Sequence, residues 1–274
     1  MKQLYLFFLL MSFALVGCSP NNVNNDKSLE KYFKENNVEG TFGMFDNGKG
    51  DFNLYNVVRF RDSAYLPAST FKIVNALIGI ETGRVIDTNV VFSWDGTNSS
   101  RPECNKDMTM HEAFRISCPP WFQELARRIG KDTMQYWIDT LGYGRRYKPF
   151  KILNNPDTFW LDNSLKLTAD EELGVVKQLY FDQLPFQKRT QRLVRGMMLQ
   201  EKNANYSLSY KTGWGFTEKG HSLGWIIGWI EENQHPYFFV LQLEHPSKNF
   251  DMAAIRLKML KDILKQYGFF QGKR

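Results

Sequence analysis

The stretch Pro67-Ala-Ser69-Thr-Phe-Lys72 runs without a break into the apolar segment Ile73-Val-Asn-Ala-Leu-Ile-Gly-Ile80. This pattern predicts a helix that begins at about Ser69 and stops at Gly83. In such a helix Ser69 and Lys72 are one turn apart and lie on the same face of its amino end. An unprotonated amine beside a hydroxyl can take its proton and make it a nucleophile. The stretch therefore predicts a serine nucleophile with a lysine base. The alternative interpretation of the same residues is an ordinary N-cap serine followed by a solvated lysine.

The composition is typical of a globular protein. The 274 residues are 43% hydrophobic and 15% aromatic, which is enough for one large domain or two interleaved lobes. The formal charge of +6 comes from lysines and arginines that are spread along the chain with acids between them. This spacing favours a soluble basic enzyme over a nucleic-acid-binding protein. Because no zinc-finger spacing, glycine-rich phosphate loop or aromatic-basic RNA motif is present, we expect no nucleic-acid partner.

The amino terminus has the layout of a secretion signal. Met1-Lys2 precedes an apolar stretch, residues 4–16, that is too short to span a bilayer comfortably. The stretch ends in Leu15-Val-Gly-Cys18, which resembles a bacterial lipobox. We expect residues 1–17 to be a signal peptide, Cys18 to be lipidated, and residues 18–27 to be a flexible polar tether. This predicts export to the periplasm and a lipid anchor in a bacterial membrane; the alternative is a plain signal peptide with an incidental cysteine.

Export places the domain in an oxidising compartment. With Cys18 assigned to lipid, Cys104 and Cys118 are left as a possible pair. Their spacing allows a disulfide but does not show that the two sulfurs meet. The sequence therefore leaves the bridged and the free forms open.

Helical patterns occupy the middle of the chain. Before them, residues 28–36 predict a short helix capped by Ser28, and two apolar segments flank Asp46-Asn-Gly-Lys-Gly50, which is a hairpin signature. From about residue 98 to residue 203, apolar residues recur at three- and four-residue spacing. We expect an inserted helical lobe there, with helices at 108–116, 121–129, 132–140, 169–181 and 189–199.

Strand patterns return in the last part of the chain. Residues 206–211, 223–230 and 237–243 are rich in aromatic and β-branched side chains, and a final helix is predicted over 250–267. Residues 28–274 are therefore expected to form one α/β domain of the α+β kind. It would contain an antiparallel sheet flanked by terminal helices and a separate helical lobe.

Three further motifs follow Ser69 and Lys72 in the chain. Ser117-Cys-Pro119 falls at a break between two predicted helices, and Phe159-Trp160-Leu161 comes after it. Lys211-Thr-Gly213 closes a predicted strand and is followed at once by Trp214-Gly215. The order Ser-x-x-Lys, then a serine-led triplet, then Lys-Thr-Gly is the signature set of the penicillin-recognising serine enzymes.

The resemblance is closest to the class D β-lactamases, or oxacillinases, and runs from about residue 38 to residue 270. The matching stretches are Pro67 to Lys72, Phe114-Arg-Ile-Ser-Cys118, Gln123-Glu-Leu-Ala-Arg-Arg-Ile-Gly130, Phe159-Trp-Leu161 and Lys211-Thr-Gly213. The resemblance implies the β-lactamase and penicillin-binding-protein transpeptidase-like fold. It also implies hydrolysis of penicillins and related β-lactams through a serine acyl-enzyme, and hence antibiotic resistance.

The same resemblance implies a role for each motif residue. Ser69 matches the nucleophile and Lys72 the general base, which in this family is carbamylated by carbon dioxide to N6-carboxylysine. A lysine of ordinary pKa, about 10.4, would keep its proton at neutral pH, whereas a carbamate is an anionic oxygen base. Trp160 matches the tryptophan that holds the carbamate, although an aromatic filling the core is the plainer interpretation. Ser117 and Lys211 match the pair that returns a proton to the leaving nitrogen.

Further matches concern charge recognition. The backbone N–H groups of Ser69 and Trp214 match the oxyanion hole. Thr212 and Arg256 match the residues that bind the substrate carboxylate, although Arg256 could also be a surface arginine on a basic helix. Carbon dioxide or bicarbonate for Lys72 is the only additional reagent expected, with no metal and no other cofactor.

The chain departs from the family pattern at two places. A branched apolar residue is replaced by Pro119 after Ser117-Cys118, and the usual Tyr-Gly-Asn becomes Tyr143-Gly144-Arg145. The first departure puts the stability of the modified lysine in doubt, and the second puts a cation where an amide is expected. A zinc-protease alternative fails because His111-Glu112 is not followed by a second histidine four residues on. A hydrolase catalytic triad fails because no Gly-x-Ser-x-Gly elbow exists.

Two other functions use the same serine and lysine. One is a penicillin-binding sensor that stays acylated, and the other is a peptidase acting on the D-Ala-D-Ala end that penicillin mimics. The sensors that resemble this family belong to multi-span membrane proteins, whereas this chain has one short apolar segment. The sequence leaves open the range of β-lactams accepted and the oligomeric state.

Overall fold

A computed structural model describes residues 22–145, 149–153 and 155–274. The predicted signal peptide and Cys18 lie outside these residues. The strands are β1 (Val23–Asn25), β2 (Glu39–Asp46), β3 (Asp51–Tyr55), β4 (Ala64–Tyr65), β5 (Val91–Phe92), β6 (Met108–Thr109), β7 (Leu167–Thr168), β8 (Leu199–Lys202), β9 (Ser207–Phe216), β10 (Ser222–Glu232) and β11 (His235–His245). Seven of them form the main sheet in the order β1-β3-β2-β11-β10-β9-β8, and β4-β7 and β5-β6 form two small ladders.

Helices cover both faces of this sheet. They are α1 (Glu30–Glu35), α2 (Val57–Asp62), α3 (Lys72–Glu81), α4 (Met110–Arg115), α5 (Pro119–Ile129), α6 (Lys131–Leu141), α7 (Ala169–Tyr180), α8 (Lys188–Met197) and α9 (Met252–Gln266). Single 3₁₀ turns occur at Lys27–Leu29, Ala68–Phe71 and Pro102–Cys104. Within the described ranges, no helix is long and apolar enough to cross a membrane.

The α+β architecture expected from the sequence is confirmed, and its sheet is antiparallel except at one edge. The hairpin around Asp46-Asn-Gly-Lys-Gly50 is present as β2 and β3. At the edge, β1 pairs in parallel with β3, with Val23 opposite Phe52. The prediction of a flexible tether through residue 27 is therefore wrong for its last part. Val23–Asn25 is a strand that is held by backbone pairing with β3.

The prediction that Ser28 caps the first helix is wrong. The Asp26 side chain accepts a hydrogen bond from the Ser28 backbone N–H at 2.9 Å, so Asp26 caps the 3₁₀ turn that leads into α1. The Asp26 carboxylate also accepts from the Tyr267 hydroxyl at 2.9 Å, at the end of α9. The amino-terminal segment is thus fixed to the carboxy-terminal helix.

The three carboxy-terminal strands are longer than the sequence predicts. β10 and β11 are joined at Asn233-Gln234, two residues with positive φ of 50° and 63°, as a tight hairpin turn requires. β9 does not end at Lys211-Thr-Gly213. It continues as far as Phe216, which pairs with Ser222 of β10. The glycines at 213 and 215 weaken the strand pattern in the sequence, but they do not interrupt the ladder.

Two apolar cores lie on opposite faces of the sheet. One packs the sheet against α1 and α9, through residues such as Phe42, Ile226 and Leu260. The other is continuous from the sheet through α7 into the predicted helical region. The helices expected between residues 98 and 203 are present, and one of them, α7, packs directly on β10 and β11 and shares their core.

Helix α3 lies at the centre of the larger core. Every residue from Lys72 to Ile80 is buried. α3 also approaches α5 so closely that a Cβ at Gly79 would come within 2.9 Å of the Leu125 side chain, and the Asn75 amide donates to the Phe122 carbonyl at 2.9 Å. The apolar run that follows Lys72 is therefore a central helix of the larger core, packed against α5 and α8.

Cys104 and Cys118 form a disulfide, with a Cα–Cα distance of 5.7 Å. The pairing that the sequence left open is therefore the bridged one in this structure. The bond ties the 3₁₀ turn at Pro102–Cys104 to the residue immediately before α5.

Candidate active site

Ser69 lies on a short turn rather than in an α-helix. Ala68–Phe71 is a 3₁₀ turn, and α3 begins only at Lys72, three residues later than the sequence predicts. Ala68 has a φ of +50°, a conformation that costs about 1–3 kcal/mol for a residue other than glycine. Its N–H donates to the Trp160 carbonyl at 3.1 Å, which holds this conformation. Strain of this kind, kept by the surroundings, is typical of a nucleophile turn.

Lys72 and Ser69 are in direct contact. The Lys72 Nζ lies 2.6 Å from the Ser69 Oγ, and the lysine is only 1% exposed. Burial, together with the smaller effect of the charge of Arg101, lowers the pKa of Lys72 to about 7. A large fraction of this amine is therefore neutral at pH 7, so that it can accept the proton of the serine.

A second hydroxyl–amine pair lies beside the first. The Lys211 Nζ, on β9, donates to the Ser117 Oγ at 2.8 Å and to the Thr212 carbonyl at 3.1 Å. Burial lowers the pKa of Lys211 well below its ordinary value, and the charges of Lys72, Arg256 and Arg101 add to this effect. Ser117 has a φ of +62°, so the corner between α4 and α5 holds its backbone in a strained conformation.

Strand β9 passes directly over the nucleophile turn. A Cβ on Gly213 would lie 2.8 Å from the Pro67 carbonyl oxygen, so this position admits only glycine. β8 pairs with β9 only as far as Ser209. Among the described residues, the outer edge of β9 beyond Tyr210 therefore has no strand partner, and the Trp214 backbone lies on that unpaired stretch.

Arg256 reaches the same strand from α9. One of its terminal guanidinium nitrogens donates to the Gly213 carbonyl, while its Nε is buried and has no hydrogen-bond partner within the described ranges. Burial lowers the pKa of Arg256 to about 10, so it remains a cation at neutral pH. These contacts do not fit the alternative of a surface arginine on a basic helix. Thr212, the residue before Gly213, is half-buried.

The aromatic side chains around the turn are divided between core and surface. Trp160 is buried and stacks on Phe71 with ring centroids 4.9 Å apart, which fits the plainer interpretation of a core aromatic and places it beside the nucleophile turn. Trp214 is 45% exposed, and its indole N–H donates to the Ser222 Oγ at 2.9 Å. Phe216 lies next to Trp214, so the end of β9 offers an apolar surface beside Ser69.

The two departures from the family pattern have different surroundings. Pro119 is the first residue of α5, where a missing N–H costs no hydrogen bond, and the residue before it is the disulfide-bonded Cys118. Arg145 is exposed, and its backbone N–H closes a turn with the Gly142 carbonyl at 3.1 Å.

Sequence reasoning missed Arg101. One of its terminal nitrogens donates to the Ser117 carbonyl at 3.2 Å, and its Nε and other terminal nitrogen contact the Glu103 carboxylate at 2.9 and 2.6 Å. The disulfide holds this segment, since Cys104 lies three residues from Arg101 and its partner Cys118 follows Ser117. The sequence did contain a signal for this contact, because a disulfide between Cys104 and Cys118 would bring residue 101 close to Ser117.

Comparison with known proteins places this arrangement in a class. Residues 21–265 match the penicillin-binding protein transpeptidase domain, and the chain belongs to that family of serine enzymes. The chain is 32% identical to the OXA-48 β-lactamase of Klebsiella pneumoniae over 259 residues, covering 94% of this chain and 95% of that protein. It is 34% identical to the probable β-lactamase YbxI of Bacillus subtilis over 278 residues, covering 98% of each.

Comparison with solved structures narrows the class of serine enzyme to which the chain belongs. The crystal structure of a class D β-lactamase, YbXI from Nostoc, superposes with a TM-score of 0.82 at 33% identity, covering 89% of this chain and 99% of that one. The class D enzyme FUS-1 (OXA-85) of Fusobacterium nucleatum subsp. polymorphum gives a TM-score of 0.83 at 29% identity, covering 92% and 100%. The chain belongs to the class D β-lactamase family.

We expect an Arg101→Gln variant to raise the pKa of Lys72, because it removes a nearby positive charge while leaving an amide beside the Ser117 carbonyl. The titration of Lys72 can be followed by NMR of lysine-labelled protein in buffer free of carbon dioxide. Arg127→Gln is the matched control, since Arg127 pairs with Glu124 on α5 and does not contribute to the lowered pKa of Lys72. An unchanged midpoint in Arg101→Gln would show that burial alone sets the pKa of Lys72.

Proposed function

We propose that this protein hydrolyses the β-lactam ring of penicillin-type antibiotics through an acyl-enzyme at Ser69, and thereby confers resistance. The observation that carries the proposal is the 2.6 Å contact between the Ser69 hydroxyl and the buried Lys72 amine, whose pKa burial lowers to about 7. The OXA-48 and YbxI relatives are named as a β-lactamase and a probable β-lactamase, which supports this substrate class.

Acylation begins when Lys72 takes the proton of Ser69. The serine oxygen attacks the lactam carbonyl carbon, and negative charge develops on the carbonyl oxygen. The backbone N–H groups of Ser69 and Trp214 are the donors assigned to that oxygen, where one such donor is worth about 3 to 4 kcal/mol. The carbon–nitrogen bond of the ring then breaks, and the departing nitrogen takes a proton from Ser117. Lys211, 2.8 Å from Ser117, replaces that proton.

The substrate carboxylate is assigned to Thr212 and Arg256. The Arg256 guanidinium is already held to the Gly213 carbonyl, and its buried Nε lacks a hydrogen-bond partner in the part of the chain that the structure describes. A buried donor without a partner is costly, and an incoming carboxylate next to this cation offsets part of that cost. Binding at this point orients the ring along the unpaired edge of β9.

Deacylation needs a base that can activate water, and we propose that Lys72 is already carbamylated before the substrate binds and serves in this form as the base of both acylation and deacylation. Carbon dioxide adds only to a neutral amine, and the lowered pKa of this buried lysine meets that requirement. When bound, the carbamate supplies an anionic oxygen base. Trp160, which stacks on Phe71 next to Lys72, is the residue expected to hold it, and the positive charge of Arg101 favours an anion at this position.

The purified domain is expected to hydrolyse a penicillin or a chromogenic cephalosporin, and Ser69→Ala is expected to abolish turnover because no acyl-enzyme forms. Intact mass after brief penicillin exposure separates the functions: a hydrolase shows an adduct that disappears, a sensor shows one that persists, and Ser69→Ala shows none. Turnover of a D-Ala-D-Ala peptide instead of penicillin would identify a peptidase. Ser247→Ala, at an exposed serine after β11, is the control that should keep full activity.

We expect wild-type protein in ¹³C-bicarbonate to show a carbamate carbon signal that Lys72→Ala lacks and Lys211→Ala keeps. The signal should fall as pH drops below about 7, because two pH units lower only about one amine in a hundred is neutral. Removing carbon dioxide should slow turnover, and bicarbonate should restore it. Full turnover with no carbamate signal would show that the free amine is the base.

We also propose that residues 1–17 are a signal peptide and that Cys18 carries the lipid that holds the protein in the periplasm. The apolar stretch that ends in Leu15-Val-Gly-Cys18 supports this. In a bacterial host the wild-type protein is expected in the membrane fraction, and Cys18→Ser in the soluble periplasmic fraction. A Cys18→Ser protein that stays with the membrane would contradict the anchor.

A further inference from the structure

A buried carboxyl group lies beneath the nucleophile turn, and the mechanism above does not use it. Glu172, on α7, is fully buried. Its Oε1 lies 2.5 Å from the Thr70 hydroxyl oxygen and 3.4 Å from the Tyr143 hydroxyl oxygen. Its Oε2 is buried and has no hydrogen-bond partner among the described residues. Thr70 is the residue directly after Ser69.

The two contacts of the Thr70 hydroxyl can both be hydrogen bonds at once only if Glu172 carries a proton. The Thr70 hydroxyl oxygen lies 2.8 Å from the Pro67 carbonyl oxygen as well as 2.5 Å from the Glu172 Oε1. The single hydroxyl hydrogen of Thr70 can go either to the Pro67 carbonyl or to the carboxyl oxygen. When it goes to Pro67, the second contact is a hydrogen bond only if the carboxyl group is neutral and donates to the Thr70 oxygen.

The surrounding charges agree with a neutral carboxyl. Burial raises the pKa of Glu172 to about 8 although its hydrogen bonds with Thr70 and Tyr143 act to lower it, and the charge of Glu171, the preceding residue of α7, adds to the rise. Tyr143 is the titratable group that faces it from the segment after α6, and Thr70 faces it from the nucleophile turn without titrating. The sheet, α2 and α8 also pack on α7. Within the described ranges, none of them places a charged group that shifts the pKa of this carboxyl.

The Pro67 carbonyl links this contact to the reacting groups. It accepts from both the Thr70 hydroxyl and the Thr70 N–H, at 2.8 and 3.2 Å. The same carbonyl lies against Gly213 of β9, next to the proposed oxyanion donor at Trp214. If Glu172 ionises, the Thr70 hydroxyl turns to the carboxylate and the Pro67 carbonyl loses a donor. The turn that sets the position of Ser69 is then no longer held from below.

We propose that Glu172 is a positioning residue of this active site: in its neutral form it donates to Thr70 and fixes the Pro67–Thr70 turn on which Ser69 is presented to Lys72 and to β9. Its effect on catalysis rests on the proposed reaction at Ser69. The proton itself is a property of the folded chain and can be tested without any substrate.

The first test is the pH profile of acylation by a fluorescent penicillin. Wild type is expected to lose acylation rate with a midpoint near pH 8, and Glu172→Gln to lose that alkaline limb, because its amide donates to Thr70 without titrating. The acid limb near pH 7, set by Lys72, should stay in both proteins. Identical alkaline limbs would overturn the proposal.

Glu171→Gln is the matched control on the same helix. Glu171 forms a capping box with Thr168, which glutamine can also form, so the helix start is preserved. Because Glu171 raises the pKa of Glu172, its replacement is expected to move the alkaline limb to lower pH rather than remove it. An alkaline limb that does not move in Glu171→Gln, or that moves to higher pH, would contradict the assignment of this limb to Glu172.

The second test needs no substrate. The folded protein keeps the Glu172 proton up to about pH 8, whereas the unfolded chain releases it near pH 4.5, so wild type loses stability between these values. The difference in melting temperature between Glu172→Gln and wild type should therefore grow in favour of the variant from pH 4.5 to pH 8 and stay constant above pH 8. A gap that does not change with pH would overturn the neutral carboxyl. If wild type is not acylated at all, the proposed hydrolysis fails, and this arm still decides whether the carboxyl is neutral.

Discussion

The burial of one amine against one hydroxyl organises this molecule. An ordinary lysine is a cation with a pKa of about 10.4 and cannot serve as a base at neutral pH. The fold removes water from the Lys72 amine by making it the first residue of a helix that is buried on all sides, and this desolvation brings its pKa to about 7. The energetic cost of hiding a lysine is met by the apolar packing of the rest of α3. The apolar run after Lys72 thus serves the chemistry as well as the core.

The site is assembled from both sides of the larger core. The sheet contributes β9, with Lys211 and the glycine that allows the strand to touch the Pro67 carbonyl. The helices contribute Ser69, Lys72 and Ser117, and α7 supports the turn from below through Glu172. Strained backbone at Ala68 and Ser117 marks the two positions where the helices present a hydroxyl group to the sheet.

Sequence and structure agree best where the interactions are local. Ser69 and Lys72 are three residues apart, so one turn of helix was enough to bring them together. The contact between Ser117 and Lys211 spans 94 residues, and only the family resemblance indicated it. Arg101 and Glu172 were missed because their neighbours, Ser117 and Thr70, are set by a disulfide and by a contact across 102 residues. Strand β1 was missed because its partner is the backbone of β3, which leaves no pattern in its own side chains.

If Cys18 carries the proposed lipid, the position of β1 limits how far the sheet can stand from that lipid. Only four residues, 19–22, lie between that cysteine and Val23, so the two Cα atoms are at most about 17 Å apart. In the sheet, β9 lies five strand spacings from β1, or about 24 Å at the usual spacing of about 4.8 Å. A lipid-anchored molecule would therefore keep one edge of its sheet near the bilayer and its catalytic strand toward the opposite edge. Antibiotic diffusing in from the aqueous side would meet the catalytic strand without having to enter the headgroup layer.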